Sequence, residues 1–353
     1  MFDCLQFPDA PARVVLVLAS GRGGCDAFSL YYLDDAEDLA RVRPMSNHAA
    51  PVLEEGKWTD LLLPNRQRRL FRSVSTQMFQ PLGSYGATEL GIVTGANDYF
   101  TLSEETRLRF GLDAQLGQVV KVCPPGTRHL QGTTFSTADW NKLRDAGGRV
   151  WLFRPQPDDD TIAVKRYIAE GIRLGVNDAY KCRIRPQWWR PPVVPCPDLF
   201  FTYMSHQFPR LVANGARTMF VNSMHGVRLH ENAPAKAANA LPLLTFNSVT
   251  LLGAEVFGRS YGGGVLKMEP REASALPMPN PDALTLAWAK LQPQQSSLNR
   301  QLKDGVWTSV VRQVDQVLLT QVLGIPESDV AELHHAARTL RAHRHGAKGR
   351  VNE

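Results

Sequence analysis

Short apolar runs, separated by glycine or proline roughly every 8 to 15 residues, fill residues 81–270 and constrain the fold most. Runs of this length bounded by turn residues are typical of strands. No regular alternation with long helical segments accompanies them, so a doubly wound parallel sheet is excluded. The predicted strands are Glu89–Thr94, Tyr99–Leu102, Val119–Val122, Arg149–Phe153, Arg183–Ile184, Leu199–Met204, Thr218–Asn222, Thr245–Leu251 and Gly264–Met268, with one helix over Thr161–Gly171. The sequence therefore predicts an α+β fold with a mixed sheet here.

The two ends of the chain have different patterns. Arg13–Ala19 is a valine-rich run typical of a buried strand, and Phe28–Leu33 predicts a second strand after a glycine turn. Two strands do not form a stable core, so they must extend a sheet built by other residues or another chain. Residues 36–80 are mostly helical and polar, and the arginines of Asn65–Ser73 are interpreted as a solvated helix face.

Residues 282–345 are predicted to be helical, because valines and leucines recur at helical spacing between Val306 and Leu318. A proline and acidic residues after Ile325 open a further helix, which continues into a basic tail ending near Arg350. His334 and His335 have no carboxylate nearby in this helix and are interpreted as surface residues.

Composition excludes several classes of protein. The chain has 353 residues and is 43% hydrophobic, which is ordinary globular material. It has no apolar run of membrane-spanning length and no export signal at its start. The five scattered cysteines match neither a disulfide framework nor a zinc site, so a cytoplasmic location is expected. The net charge of +6 favours an anionic partner, nucleic acid first.

Several catalytic motifs are absent from the sequence. It contains neither a P-loop, nor GxSxG, nor a strand followed by GxGxxG and a helix. Asp158–Asp160 followed by Lys165 is a poor match to a nuclease metal site and is interpreted as an acidic helix start. No metal site is predicted.

The stretch Tyr180–Pro192 (YKCRIRPQWWRPP) is the most informative one for function. Arg183 and Arg185 alternate along a predicted strand and would therefore share a face. Trp188, Trp189 and Arg190 follow. Arginines beside aromatic rings suit phosphate contact, guanine readout or base stacking, although the tryptophans could equally be core anchors. Residues 181–230 hold seven Lys or Arg and one acid, Asp198.

Three further clusters place polar residues near turns. Asn97 lies in TGANDYF, where a local turn role is the simpler interpretation. In NSMHGVR, polar side chains lie at the end of a predicted strand. In GRSYGGGVLK, glycines flank the polar residues and would let the backbone approach another molecule closely. The candidates in these two clusters are Asn222, His225, Arg228, Arg259, Tyr261 and Lys267.

Taken in order, these motifs resemble the C-terminal part of amino-group-specific adenine DNA methyltransferases of restriction–modification systems. The motifs are TGANDYF, YKCRIRPQWWRPP, the asparagine strands, GRSYGGGVLKMEPREASALPMP and VDQVLLTQVLGI. The resemblance covers roughly residues 85–325. Residues 1–35 resemble the last strands of such an enzyme's catalytic sheet. In that family a catalytic domain flips out the adenine, and a target recognition domain reads the sequence.

The chain departs from the family at the catalytic centre. Its two Pro-Pro pairs, in CPPG and RPPV, do not match the Asn-or-Asp-Pro-Pro-aromatic tetrad. The glycine loop for S-adenosylmethionine is also absent. The expectation is therefore no cofactor on this chain, with S-adenosylmethionine held by a catalytic partner chain or a missing N-terminal half. Whether the chain is an enzyme stays open, and alone it is expected to be inactive.

The resemblance implies three parts: terminal strands and linker helices over residues 1–80, a target recognition domain over 81–281, and a helical region with a basic tail over 282–353. Double-stranded DNA and a methyltransferase catalytic chain are the expected partners, and no membrane is expected. The candidates for DNA binding are Asn97, Arg183, Arg185, Trp188, Trp189, Arg190, Asn222, His225, Arg228, Arg259, Tyr261 and Lys267. Two alternatives remain: a non-catalytic specificity subunit of a restriction–modification or phage-defence complex, and, less favoured, a nuclease.

Overall fold

The computed structural model describes residues 16–18, 21–23, 27–29, 31, 37–41, 49–51 and 57–345. Near the start, strand β1 (Ala27–Ser29) pairs antiparallel with β2 (Ala49–Pro51). The predicted strand Arg13–Ala19 lies mostly outside the described residues, and its described part, 16–18, is exposed and in no strand. The second predicted strand, Phe28–Leu33, overlaps β1, and the rest of it lies mostly outside the described residues.

The remaining strands are short. They are β3 (Phe79–Pro81), β4 (Gly86–Leu90), β5 (Thr101–Leu102), β6 (Val119–Cys123), β7 (Trp151–Phe153), β8 (Leu199–Phe201), β9 (Met204–Ser205), β10 (Leu211–Ala213), β11 (Met219–Phe220), β12 (His225–Leu229), β13 (Arg259–Tyr261), β14 (Val265–Lys267) and β15 (Pro277–Pro279).

Helices alternate irregularly with them. They are α1 (Asn65–Gln77), α2 (Asn97–Phe100), α3 (Glu104–Phe110), α4 (Thr137–Asp145), α5 (Ile162–Arg173), α6 (Tyr180–Arg183), α7 (Ala237–Leu244), α8 (Ser248–Phe257), α9 (Pro270–Ser274), α10 (Pro281–Leu291), α11 (Gln295–Lys303), α12 (Trp307–Val314) and α13 (Glu327–His345). A π-helix, Asp315–Val322, continues α12. The predicted α5 and the helical C-terminal region are confirmed.

The sheets confirm the α+β prediction and are small. One has the antiparallel order β10-β8-β12-β4. The second, β11-β6-β7-β5, is mixed because only its β11–β6 pair is parallel. The third has the order β13-β14-β9, and β15 pairs with β3. No sheet among the described residues has the extended parallel order of a doubly wound fold.

Two hydrophobic cores lie on opposite faces of the first sheet. Leu199 and Phe201 of β8 point into a core shared with α1, α7, α8 and the C-terminal helices, whereas Phe200 between them points into a core around β5, β6, β7 and α5. This follows from the period of two along a strand. Since α10 to α13 share the first core with α1, these helices are an integral part of the structure. The three-part division of the chain stays a prediction.

Three predicted strands fall wholly or partly on helices. Residues 245–251 include the start of α8, whose N-terminus is capped by Asn247 through a bond from the Thr250 N–H. A short apolar run does not distinguish a buried helix from a strand, and the cap decides it. Residues 99 and 100 belong to α2 and only Thr101–Leu102 to a strand. Arg183 ends α6, as described below.

Among the described helices, no single helix is long and apolar enough to cross a membrane, while α7 and α8 reach that length and composition only as a pair that is bent by 79°.

Candidate nucleic-acid interface

The stretch that was expected to be a strand with two arginines on one face begins as helix α6. The Arg183 N–H donates to the Ala179 carbonyl at 2.9 Å, closing a helical turn. Tyr180, Lys181, Cys182 and Arg183 include no β-branched residue, so nothing in their side chains opposes the turn. The two arginines therefore diverge: Arg183 is exposed and Arg185 turns towards the protein.

Arg185 is held by the backbone of the segment after β4. Its guanidinium donates to the Thr94 carbonyl at 2.8 Å and to the Val93 carbonyl. Partial burial lowers the pKa of this guanidinium, and the charge is retained because arginine starts from so high a value. Arg185 thus fixes the loop that leads to Asn97.

Asn97 takes part in the same loop. Its side-chain oxygen accepts a bond from the Thr94 hydroxyl at 2.6 Å, and its backbone begins α2. The residue is half-buried, and no acceptor among the described residues holds its amide nitrogen. Asn97 thus begins a helix, not the predicted turn into a strand, and a role in DNA binding stays a prediction.

Trp188, Trp189 and Arg190 lie mainly against the protein. Trp188 packs beside Tyr99, with the ring centroids 5.7 Å apart, and both tryptophans contact the second core. Arg190 donates to the Pro155 carbonyl at 3.0 Å. All three are half-buried, so they anchor the segment and leave only part of their surface for a ligand.

Asn222 lies next to the Arg185 loop. Its backbone N–H donates to the Ile92 carbonyl at 3.1 Å, and Val221 forms a parallel bridge with Ile92. The adjacent Ser223 hydroxyl accepts the Gly126 N–H at 3.0 Å, which brings in the loop after β6. Asn222 itself is exposed.

These contacts join four segments, 93–97, 124–128, 181–185 and 222–223, which we call the loop rim. The loop rim contains Arg128, Lys181, Arg183 and Arg185 and no acidic residue. Arg128, Lys181 and Arg183 are exposed. Within residues 57–345, no carboxylate or hydrogen-bond acceptor holds Arg183. The flanking Asp98 is paired with Arg149. The loop rim therefore combines the exposed side chain of Asn222 with exposed cations that no described carboxylate neutralises.

His225 is buried, unlike the expectation for a base-reading side chain. Its ring stacks on Tyr203 at 4.3 Å, and Nε2 lies 3.0 Å from the Met268 carbonyl. Burial lowers the pKa of His225. The ring of His225, in β12, is therefore held between Tyr203 and the Met268 carbonyl that follows β14.

Arg228 is exposed near the other end of β12. It is paired with Glu89 of the neighbouring strand at 2.7 Å. A cross-strand pair of this kind is an ordinary stabilising contact. Arg228 can contact a phosphate only by giving up or sharing Glu89.

The third cluster forms the β13–β14 hairpin, and the strand predicted for Gly264–Met268 is confirmed as β14. Tyr261 is 44% exposed near its tip, and the Lys267 ammonium lies 5.1 Å from the ring centroid. Lys267 also pairs with Glu269 at 2.7 Å. At the base, Arg259 binds one oxygen of Glu272 through two nitrogens, which raises the pKa of Arg259. The hairpin thus exposes an aromatic ring on a base fixed by ion pairs.

Three exposed cations were not among the DNA-binding candidates of the sequence. Lys181 and Arg128 lie in the loop rim, and only the structure brings them together. Arg217 follows β10 and has a left-handed backbone, φ 51°, which is unusual for a non-glycine residue. A strained residue of this kind is a candidate for function. For Arg217, the sequence signal that could have pointed to this position is the turn sequence Asn214–Arg217.

The triple glycine Gly262–Gly264 is not placed as the glycine loop of a cofactor-binding strand–helix unit would be. The glycines of Gly262–Gly264 lie inside a hairpin between β13 and β14, instead of between a strand and a helix. No group of three or more metal-binding side chains occurs among the described residues.

Comparison with known proteins gives the family. Residues 55–319 match the family described as the C-terminal domain of Type II methyltransferase M.Eco57I. The chain belongs to this family. The match confirms the predicted resemblance to the C-terminal part of a restriction–modification methyltransferase.

Two curated relatives agree with this assignment. Type II methyltransferase M.AccI of Acinetobacter calcoaceticus is 21% identical over 280 residues, covering 77% of this chain and 51% of the relative. Type II methyltransferase M.XamI of Xanthomonas campestris pv. amaranthicola is 27% identical over 203 residues, covering 56% of this chain and 36% of the relative. The matched regions thus span about half, or less, of the length of these relatives.

Among solved structures, the Type IIL restriction-modification enzyme MmeI in complex with DNA is similar at a TM-score of 0.44. The sequence identity is 13%, and the match covers 75% of this chain and 36% of MmeI.

Proposed function

We propose that this member of the M.Eco57I C-terminal family supplies sequence-specific recognition of double-stranded DNA to an S-adenosylmethionine-dependent adenine-N6 DNA methyltransferase. The catalytic tetrad and the S-adenosylmethionine loop are proposed to lie outside this chain, in a catalytic partner chain or an N-terminal half. The observation that carries the proposal is the loop rim, which contains exposed cations, no acidic residue and an exposed asparagine.

The chemistry of the loop rim fits duplex DNA. Exposed arginine and lysine neutralise phosphates, which sets affinity and register, while asparagine amides read adenine edges. The proposed roles are therefore phosphate contact for Arg128, Lys181 and Arg183, and a base-edge contact for Asn222. The half-buried residues Arg185, Trp188, Trp189 and Arg190 would hold this surface in place.

The hairpin offers a second contact of a different kind. Tyr261 presents a ring that can stack on a base or sugar, and the flanking glycines leave the backbone open to close approach. Its neighbours Arg259 and Lys267 are paired with glutamates, so we assign them secondary roles.

The proposal is tested in two stages. First, the chain is incubated with a duplex library that has a randomised centre, and bound duplexes are sequenced; an enriched motif is expected. Second, a duplex with that motif is incubated with labelled S-adenosylmethionine, with and without a methyltransferase catalytic chain. Transfer that needs both chains, and that yields N6-methyladenine by mass spectrometry, is the expected result. Recovery without any enriched motif contradicts sequence-specific recognition.

The same experiment distinguishes the proposed function from the main alternative. A non-catalytic specificity subunit of a restriction–modification or phage-defence complex would enrich a motif but would not support methyl transfer with the catalytic chain.

A further inference from the structure

Arg344, in the last turn of α13, is among the most completely bound side chains of the structure. Its side chain is 3% exposed, and that of its partner Glu255 on α8 is 6% exposed. Nε and Nη2 donate to the two carboxylate oxygens of Glu255 at 2.9 and 2.7 Å. The remaining donors bind the carbonyls of His206, Gln207 and Gly264. Every N–H of the guanidinium is therefore used.

One of these carbonyls belongs to the turn of the β13–β14 hairpin. Gly264 has φ 77°, and a Cβ placed there would lie 2.7 Å from Nδ1 of His345 and 3.3 Å from its Cα. The end of α13 thus touches the turn so closely that only glycine fits. The other two carbonyls follow β9, the strand that pairs with β14. A single side chain consequently ties α8, β9 and the hairpin turn together.

The opposite end of the hairpin has its own attachment. Arg259 is bound by Glu272, and Glu272 also lies 3.8 Å from Lys57. Between these two anchors, Tyr261, Gly262 and Gly263 are exposed, and a Cβ at Gly263 would meet nothing within 4 Å. The hairpin is therefore fixed at its base and behind its turn, with its outer surface uncovered by described residues.

We propose that Arg344 is a positioning residue that holds the β13–β14 hairpin in the orientation in which Tyr261 contacts DNA. This inference rests on the proposed function. Arg344 lies outside residues 55–319, the part that matches the family, and it touches no residue of the loop rim.

The energetics of the contact fit a positioning role. Burying an ion pair costs desolvation that its attraction only partly offsets, so such a pair is a poor device for stability alone. The planar fork of arginine fixes the direction of each bond it makes, which a lysine ammonium does not. Arg344→Lys keeps the charge opposite Glu255 and loses the set of oriented bonds to the three carbonyls.

The first test is amide hydrogen exchange on the full chain without DNA. In Arg344→Lys, the amides of residues 259–267 should exchange at least about tenfold faster than in the wild type. Few contacts hold the hairpin, so losing those of Arg344 favours its local opening. The control is Arg300→Lys, at an exposed position of α11, which should leave these rates unchanged. Unchanged exchange in Arg344→Lys overturns the inference.

The second test asks whether Arg344 affects DNA through the hairpin. Binding of a labelled duplex with a randomised centre is measured for the wild type, Arg344→Lys, Tyr261→Ala and the double variant. If Arg344 acts by placing Tyr261, each single change weakens binding, and the double variant binds no worse than Tyr261→Ala. Fold-losses that multiply indicate a structural role only and overturn the inference.

A glycine pair keeps the test decisive if Arg344→Lys does not fold. Gly264→Ala and Gly263→Ala impose similar backbone strain, because φ is 77° and 74°, but only the first collides with His345. Hairpin amides should exchange faster in Gly264→Ala than in Gly263→Ala; equal rates overturn the inference. If the wild type binds no duplex, the proposed function fails, whereas loss of the hairpin effect alone leaves that function standing.

Discussion

Ser248 donates both its backbone N–H and its hydroxyl to the two carboxylate oxygens of Asp315, at 2.8 and 2.6 Å. Asp315 is 5% exposed and lies where α12 passes into the π-helix. His334 Nδ1 lies 3.2 Å from the same hydroxyl, so His334 is not the surface residue that the sequence indicated. The three residues connect α8, the π-helix and α13 inside the first core.

The protonation of Asp315 makes stability depend on pH. Burial raises the pKa of Asp315 from 3.8 to about 7, although the bonds from Ser248 oppose the rise. The folded chain therefore holds an extra proton between these two values. The stability that protonated Asp315 contributes is present at low pH and is lost as pH rises towards 7. The free energy of unfolding falls by at most about 1.4 kcal/mol per pH unit over this range.

Asp315→Asn should remove this slope. Relative to the wild type, the free energy of unfolding of the variant should increase between pH 4 and 7, as measured by urea denaturation at several pH values. A difference that does not change with pH contradicts the assignment. Asp160→Asn, at an exposed carboxylate, is the matched control.

His129 should have the opposite effect over the same range. Burial lowers the pKa of His129 from 6.5 to about 4, and its Nε2 lies 3.1 Å from the buried Cys123 thiol. The unfolded chain binds the proton first, so stability is lost as pH falls from 6.5 towards 4. His129→Gln should therefore lose less stability on acidification than the wild type does, in the same urea titrations. An unchanged acid slope would show that His129 is protonated in the folded chain.

Arg185 and Arg183 of the loop rim should separate stability from binding. Arg185→Gln removes charged donors from the carbonyls of Val93 and Thr94 and should lower the free energy of unfolding by about 1.5–3 kcal/mol. Arg183→Gln, at an exposed position two residues earlier, should change it by less than about 0.5 kcal/mol. Equal losses in denaturant titrations would contradict the different placement of these side chains.

The start of β4 tolerates no added methyl group. A Cβ on Gly86 would lie 2.5 Å from the Arg228 carbonyl oxygen and 2.9 Å from the Leu229 Cα, both backbone atoms of β12. Gly86→Ala should therefore destabilise the chain by about 1–3 kcal/mol. Gly83→Ala is the control, because the nearest atom to its Cβ would be 3.3 Å away. Thermal melts that show similar shifts for both variants would contradict this register of β4 against β12.

The sequence predicted more of the fold than of the candidate site. Apolar spacing and the proline after Ile325 identify the C-terminal helices, because such helices carry their own local signals. The start of α8 was missed, although Asn247 is a good cap, since its apolar run suits a strand equally well. The single turn of α6 is too short for any periodic signal.

The site depends on contacts between residues distant in sequence. Arg185 and Thr94 are separated by 91 positions, and Ser248 and Asp315 by 67, so no local pattern records either pair. The polar residues that the sequence places near turns are found there, but which of their side chains point outward depends on contacts between residues distant in sequence. His225 and Arg183 are both polar in the sequence, and only the structure buries one and exposes the other.

The most direct test of DNA recognition is a titration of the full chain with a labelled duplex at several salt concentrations, for the wild type and Arg183→Gln. The account predicts salt-sensitive binding by the wild type. It also predicts a slope of log K against log salt that is smaller by about 0.9 in the variant, since one phosphate contact is lost. Absence of binding at low salt, or the same slope and affinity in both proteins, would contradict the assignment of the loop rim to DNA.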